Sequence, residues 1–281
     1  MAPTEPITID RLDVTALAAA GRLSEQAGWN QSAEDWRIFF NQGAVFGVPG
    51  ESGPVATGAI LAFGGFGWIS MVLVSAAERG RSLGTAVLRR CMAELASLNC
   101  LPVLDATPQG ERIYGPLGFL PQFPLWRWRG VGQPADDPRD ANLIRPAMPD
   151  DLGTIVAADA KAFGAPRRRL LSGLMQRAPA QALVLRDGTG FVLARPGRLA
   201  LQIGPLVAPD EATALKLLKA ALSRAQGPVV LDVPATWDGI AAHLTASGFL
   251  RERPYLRMAL GRSQPFGEPG QIFAIAGPEL G

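Results

Sequence analysis

The chain has 281 residues, 48% of them apolar and 19% charged, and its 27 Lys and Arg against 25 Asp and Glu leave a net charge of +2. That composition excludes a disordered chain, and the absence of a long basic run argues against nucleic acid as a partner. The length suits two domains of roughly 140 residues each.

No apolar run approaches the ~18–20 residues of a membrane span. The start, MAPTEPITIDRLD, has no basic region followed by an apolar one, so a cytoplasmic protein without membrane partners is expected. Cys91 and Cys100 are too few for a disulfide framework or a zinc site and read as buried, reduced thiols. The single histidine, His243, excludes a histidine-cluster metal site, and no metal is expected.

In chain order, PITIDRLD (6–13) reads as a short strand and 14–28 as a helix. A second helix is expected at 33–42, with Trp36, Phe39 and Phe40 at helical spacing. Three strands follow up to Val74, separated by turns at Pro49–Gly53 and Gly64–Gly65. A helix is expected at 83–98, a strand at 101–106, a short helix near 109–117 and strand structure at 120–129. VGQPADDPRDAN is rich in turn formers and charge, and reads as a linker (131–141) between domains 1–130 and 142–281.

Beyond the linker the order restarts. A strand at 142–146 leads to a helix at 150–163, with Asp150 or Asp151 as its N-cap. Strands are expected at 181–186, 190–194 and 199–207, a helix at 210–225, a strand at 228–233, a helix at 236–247 and a strand at 251–260. Arg167-Arg168-Arg169 reads as a solvated helix face. The apolar Ile272-Phe273-Ala274-Ile275 in the tail predicts one more strand, bridging the two units or joining one of them. Each half contains a strand ending in Leu-Asp, a short helix, Gly-Phe and a final strand, which marks a tandem repeat. The fold class is therefore α+β, with mostly antiparallel sheets and one parallel pair per unit.

The segment Glu78-Arg79-Gly80-Arg81-Ser82-Leu83-Gly84 links an apolar strand to a helix. A helix N-terminus offers unpaired N–H groups and the positive end of the helix dipole. Glycines allow close approach and the two arginines add positive charge, a combination that suits a phosphate or pyrophosphate. A plain turn with solvent-facing arginines would have the same composition.

Together with a second motif, this loop resembles the GNAT superfamily of acyl-CoA-dependent N-acyltransferases. The Arg/Gln-x-x-Gly-x-Gly/Ala loop of that family matches Arg79–Gly84, with Ser82 in place of the first motif glycine and Ala76 where the family has proline. Some thirty residues on, Thr107–Phe119 falls on the Asn-x-x-Ala-x-x-Leu-Tyr-x-x-x-Gly-Phe pattern. Tyr114 and Gly118-Phe119 match directly, and Thr107 and Gly110 take the asparagine and alanine positions. The corresponding step in the second half, Ile203–Ala212, has no arginine but carries Asp210 and Glu211, and Leu244 replaces the tyrosine. The chain thus resembles tandem GNAT proteins with an intact first domain and a degenerate second one.

The resemblance implies direct transfer of an acyl group, most simply acetyl from acetyl-CoA, to an amine of a small molecule or protein. It implies that Val72 and Val74 pair with the pantetheine arm and that the N–H of Leu73 or Val74 polarises the thioester carbonyl. Arg79, Gly80, Arg81, Ser82, Leu83 and Gly84 would hold the pyrophosphate, and Thr107 would bond the arm. Tyr114, with a phenol pKa near 10, would protonate the departing thiolate. No general base stands out. Glu34 and Asp35 read as solvated or capping carboxylates, Glu78 lies close to the loop, and His243 reads as structural. Trp29, Trp36 and Phe39 line either an acceptor pocket or plain core. The second unit would cover the acceptor side or build a homodimer or an interdomain groove. The alternatives are a non-catalytic acyl-CoA-binding or regulatory protein, and a scaffold with two degenerate units.

Overall fold

A computed structural model describes residues 7–133 and 143–281. The expected linker falls largely outside the described residues. The chain divides into two compact units, 1–103 and 104–281, and the division falls within a strand.

The first unit runs β1 (Asp10–Leu12), α1 (Leu17–Gln26), α2 (Ala33–Gln42), β2 (Ala44–Val48), β3 (Ala56–Ala62), β4 (Phe66–Val74) and α3 (Leu83–Ser97), and ends in β5 (Leu101–Ala106). The start of α2 is fixed by a reciprocal cap. The Ser32 hydroxyl accepts from the Asp35 N–H at 3.3 Å, and the Asp35 carboxylate accepts from the Ser32 N–H at 2.7 Å. Trp36 and Phe39, one turn apart, are fully buried, and the Trp36 indole N–H donates to Ser24 Oγ at 3.0 Å. These aromatics are core.

Strands β1 to β4 pair antiparallel in sequence order. The α3 crossover buries Val87, Leu88, Cys91 and Leu95 and makes β5 parallel to β4. That parallel ladder spans only Phe66–Trp68 against Leu101–Val103. From Ile69 to Val74 the described ladder gives β4 no partner on that edge. Within this stretch the register on β3 moves from Thr57↔Leu73 to Ala59↔Ser70, so β4 carries one extra residue. Met71 takes it up at φ 53°, and its carbonyl accepts from the Thr57 hydroxyl at 3.0 Å.

The second unit contains the end of β5, α4 (Pro108–Tyr114), β6 (Phe119–Val131), β7 (Ile144–Pro146), α5 (Leu152–Phe163) and α6 (Arg168–Arg177). It continues with β8 (Leu183–Leu185), β9 (Phe191–Pro196), β10 (Leu201–Val207), α7 (Glu211–Arg224), β11 (Pro228–Pro234), α8 (Asp238–Ala246), β12 (Leu250–Leu260) and β13 (Ile272–Ala274). Its strands follow the order β12-β6-β11-β10-β9-β8-β7, with β13 on β10. Only β10 and β11 are parallel within this set, again over three residue pairs. The two-repeat α+β pattern is therefore present. However, β6, the final strand of the first sequence repeat, lies between β11 and β12.

Two local expectations are corrected. Helix α6 has no counterpart in the sequence reading. Arg167 is not solvated: it is buried, its guanidinium forks onto Asp159 at 2.7 and 2.9 Å, and it donates to the Leu280 and Gly281 carbonyls. Asp151 stands at the N-cap position of α5, as expected, but its carboxylate makes no bond into that helix: it accepts the Met148 N–H at 2.7 Å, closing the preceding short turn, while paired with Arg145. The tail strand β13 joins β10 of the second unit.

Candidate active site

The loop after β4 makes one short turn at Ala76–Glu78 and then enters α3 through Ser82. Ser82 has φ 60° and ψ 12°, the left-handed conformation that favours glycine, and its side chain makes no capping bond. The first intrahelical bond at this end is Ala86 N–H to the Ser82 carbonyl at 3.0 Å. Among the described residues, the N–H groups of Leu83, Gly84 and Thr85 have no acceptor. This end of the dipole is open to an anion.

Gly80, at φ 80°, has open space where a Cβ would stand, and a Cβ on Gly84 would meet only Val74 Cγ2, at 3.4 Å. The helix N-terminus thus abuts the end of β4, whose stretch Ile69–Val74 is paired with β3 on one edge and has no described strand partner on the other. Arg81 is two-thirds exposed and forms an ion pair with Glu78. Arg79 has no ion-pair partner among the described residues. An open cleft of about 540 Å³, walled by α1, the β2–β3 turn and this loop, takes in Arg22, Glu51, Glu78 and Arg81.

The matching helix of the second repeat is closed. Asp210 accepts the Thr213 N–H at 2.8 Å, and that bond, with the Thr213 side chain, holds its carboxyl below the ordinary value. Next to it, Glu211 accepts the Ile240 N–H at 2.9 Å, capping the first turn of α8. Both carboxylates stand where an incoming phosphate would have to go.

Thr107 and Tyr114 belong to the second unit. Thr107 is the N-cap of α4, accepting the Gly110 N–H at 3.2 Å, so its hydroxyl proton remains to be donated. Tyr114 is half-buried at the end of α4, with its ring 6.0 Å from that of Phe119. The ring lies over Gly110, where a Cβ would come within 2.8 Å of Tyr114 Cε2 and 3.3 Å of its hydroxyl. The small residue at this motif position is therefore a seat for the tyrosine.

The other candidates divide along bland lines. Glu34 pairs with Arg37 at the surface at 2.6 Å, and Asp35 is the buried half of the α2 cap. His243 lies in α8, outside the matched motif. Both cysteines are buried and free, and burial pushes the Cys91 thiol up to about 12. No helix among the described residues is long and apolar enough to cross a membrane, and they hold no group of ligands fit for a metal ion. Two groups were missed. Ser70 Oγ, on β4 just before the extra residue, and Gln31 Oε1, between α1 and α2, are buried without a hydrogen-bond partner. A substrate is one way such orphaned groups are satisfied. In sequence, Ser70 is only a small residue in an apolar run.

Residues 155–274, from within α5 to the end of β13, match the family model of the acetyltransferase (GNAT) domain. The uncharacterised N-acetyltransferase YitH of Bacillus subtilis (strain 168) is 26% identical over 269 residues, covering 92% of this chain and 93% of YitH. Holothin acyltransferase of Pseudoalteromonas sp. (strain SANK 73390) is 26% identical over 266 residues, covering 90% of this chain and 87% of that enzyme. Among solved structures, a Pyrococcus horikoshii protein assigned as an acetyltransferase superposes with a TM-score of 0.80 at 20% identity, over 100% of this chain and 98% of its own. A tandem GNAT protein from the clavulanic acid biosynthesis pathway gives 0.62 at 12% identity, over 90% of this chain and 97% of its own. Residues 155–274 thus carry a GNAT acetyltransferase domain, and the chain over nearly its whole length is similar to N-acyltransferases and shares the fold of tandem GNAT proteins.

Proposed function

We propose that this acetyltransferase uses an acyl-CoA donor, in the simplest case acetyl-CoA, and transfers the acyl group to an amine. The observation that carries this reading is the uncapped N-terminus of α3 beside the unpaired edge of β4. An extended arm ending in a pyrophosphate needs both: a strand edge for its amides and N–H donors for its anion.

In this reading Arg79, Gly80, Arg81, Ser82, Leu83 and Gly84 bind the pyrophosphate, and Val72 and Val74 pair with the arm. The exposed Glu78–Arg81 pair opens at little cost, since such pairs contribute about 0–1 kcal/mol. The N–H of Leu73 or Val74 polarises the thioester carbonyl. The amine nitrogen attacks the carbonyl carbon, the N–C bond forms and the C–S bond breaks. The amine gives up its proton to solvent water, and Tyr114 gives its hydroxyl proton to the departing thiolate and is reprotonated from water. Thr107 donates its free hydroxyl proton to the arm. The acceptor is an amine on a small molecule or a protein.

Isothermal titration with acetyl-CoA and with CoA tests the donor, using the wild type and an Arg79→Glu/Arg81→Glu variant. One equivalent is expected to bind, with the variant weakened at least ~10-fold. Tyr114→Phe is expected to keep the same affinity while turnover on a panel of primary amines, followed by thiol release, falls on the order of 10²-fold. Absence of saturation at millimolar donor overturns the reading. Binding without turnover on any amine would identify a non-catalytic acyl-CoA-binding protein.

A further inference from the structure

The parallel pairs of the two repeats are built alike, and one of them is filled. In the first unit, β4 and β5 pair over three residues, after which this edge of β4 has no strand partner among the described residues. In the second, β10 and β11 pair over Leu201–Ile203 and Val229–Leu231 and then part company. Beyond that point β9 continues along one edge of β10, with Leu206↔Val192 and Val207↔Phe191. On the opposite edge, facing β11, lies β13, antiparallel, with Leu206↔Ala274 and Val207↔Ile272. Its far side reaches β11, where the Ile275 N–H donates to the Asp232 carbonyl at 3.0 Å. The tail strand thus lies in the gap between the parting strands.

The approach is close. A Cβ on Gly204 of β10 would stand 1.9 Å from the Ile275 carbonyl oxygen, so this position must be glycine for the tail to pass. Residues Ile272–Ala276 and Leu280 are buried. The rest of the tail is tied by buried side chains. Arg195 binds the Ala276 carbonyl and the Glu279 carboxylate, and Arg167, braced by Asp159, binds the Leu280 and Gly281 carbonyls. The Trp237 indole N–H donates to the Ile272 carbonyl at 2.7 Å. Meanwhile Asp210 closes the helix N-terminus that opens beside this gap. Both places that an extended, anionic ligand would use in the second repeat are held by groups of the chain itself.

We propose that residues 271–281 are a built-in strand ligand of the second repeat, so that the β10–β11 gap is a peptide-binding groove occupied in cis. Resting on the donor reading above, it follows that each chain takes one acyl donor, at the first repeat. The occupant is an extended apolar peptide with a glycine turn and a glutamate, recognised by backbone pairing along β10 and by Arg195 and Arg167.

A site-specific protease sequence inserted after Ser263 lets the tail be cut and washed away after folding. The tail-less protein is expected to bind a synthetic, fluorescently labelled 271–281 peptide with one equivalent at saturation. A peptide carrying Ile275→Pro, which lacks the N–H given to Asp232, is expected to bind at least ~10-fold more weakly. The intact chain, its groove filled, is expected to bind neither. Labelled peptide that fails to bind the tail-less protein, or that binds the intact chain equally well, overturns the proposal. Because this readout uses no donor, its failure is separable from a failure of donor binding. In the intact chain, amide exchange at Ile275 is expected to be slower than at exposed Ser263 by on the order of 10²-fold. Equal rates overturn the proposal even if the cut protein unfolds.

Discussion

Ser82→Gly is expected to stabilise the protein and to leave donor binding intact. Ser82 sits at φ 60° and ψ 12°, exposed, and its hydroxyl caps nothing. Holding an L-residue in this conformation costs about 1–2 kcal/mol, which glycine avoids. Glycine in turn raises the entropy of the unfolded chain, at a cost of about 0.4–1 kcal/mol. The difference predicts a net gain of about 0.5–1 kcal/mol. Ser82→Val should go the other way, since a β-branched side chain is a genuine outlier there. The assay is urea unfolding followed by circular dichroism, with acetyl-CoA titrations of both variants. The valine variant is expected to bind donor at least ~5-fold more weakly, because relieving its strain turns the first N–H groups of α3 away. A destabilised glycine variant, or a valine variant indistinguishable from wild type, would refute the assignment of strain to this residue and weaken the case for a preformed anion site.

The buried pair Arg127–Asp232 is held by two bonds of 2.8 Å, with a third to Asp232 from Gln202 at 3.1 Å. Asp232→Ala should therefore lower stability by about 3–5 kcal/mol in urea unfolding, whereas Arg127→Met/Asp232→Leu, which leaves no orphaned charge, should recover most of that loss. The Asp210 cap should respond to acid. Its carboxyl titrates below the ordinary value of 3.8 in the folded chain, so the folded state is favoured by ionisation. The stability difference between wild type and Asp210→Ala should be constant above about pH 5 and shrink as pH falls through 3.8 and below; a difference that grows in acid would contradict the cap.

Elements with local signals were legible in the sequence. The span of α2, Ala33–Gln42, follows from Ser32 and Asp35 at capping-box spacing and from Trp36 and Phe39 one turn apart. The same holds for β5, bounded by Cys100 and Thr107, and for the tail strand, announced by an apolar run in a Gly- and Pro-rich context. Helix α6 was not legible because it starts on Arg168-Arg169 with no capping residue before it. Arg167 was misread because its partner Asp159 and the tail carbonyls meet it only in the folded chain. At the candidate site, the glycines and arginines of the loop were visible, and so was the hostility of Asp210 and Glu211 to an anion. The ion pair that occupies Arg81, the capping duty of Thr107 and the orphaned hydroxyl of Ser70 were not, since each depends on a neighbour's three-dimensional position.

The placement of β6 bears on how such a gene could be cut or shuffled. The sequence repeats end near residue 130, yet β6 is paired on both sides by strands from the second repeat, β11 and β12. A fragment ending at the repeat boundary would carry a 13-residue strand, Phe119–Val131, with both edges bare. Such a strand is a template for aggregation. The complementary fragment would lose the partner of β11 and β12 alike. Neither half is a module that recombination could pass to another protein intact. Once the strand was shared, the two repeats became obliged to be inherited together.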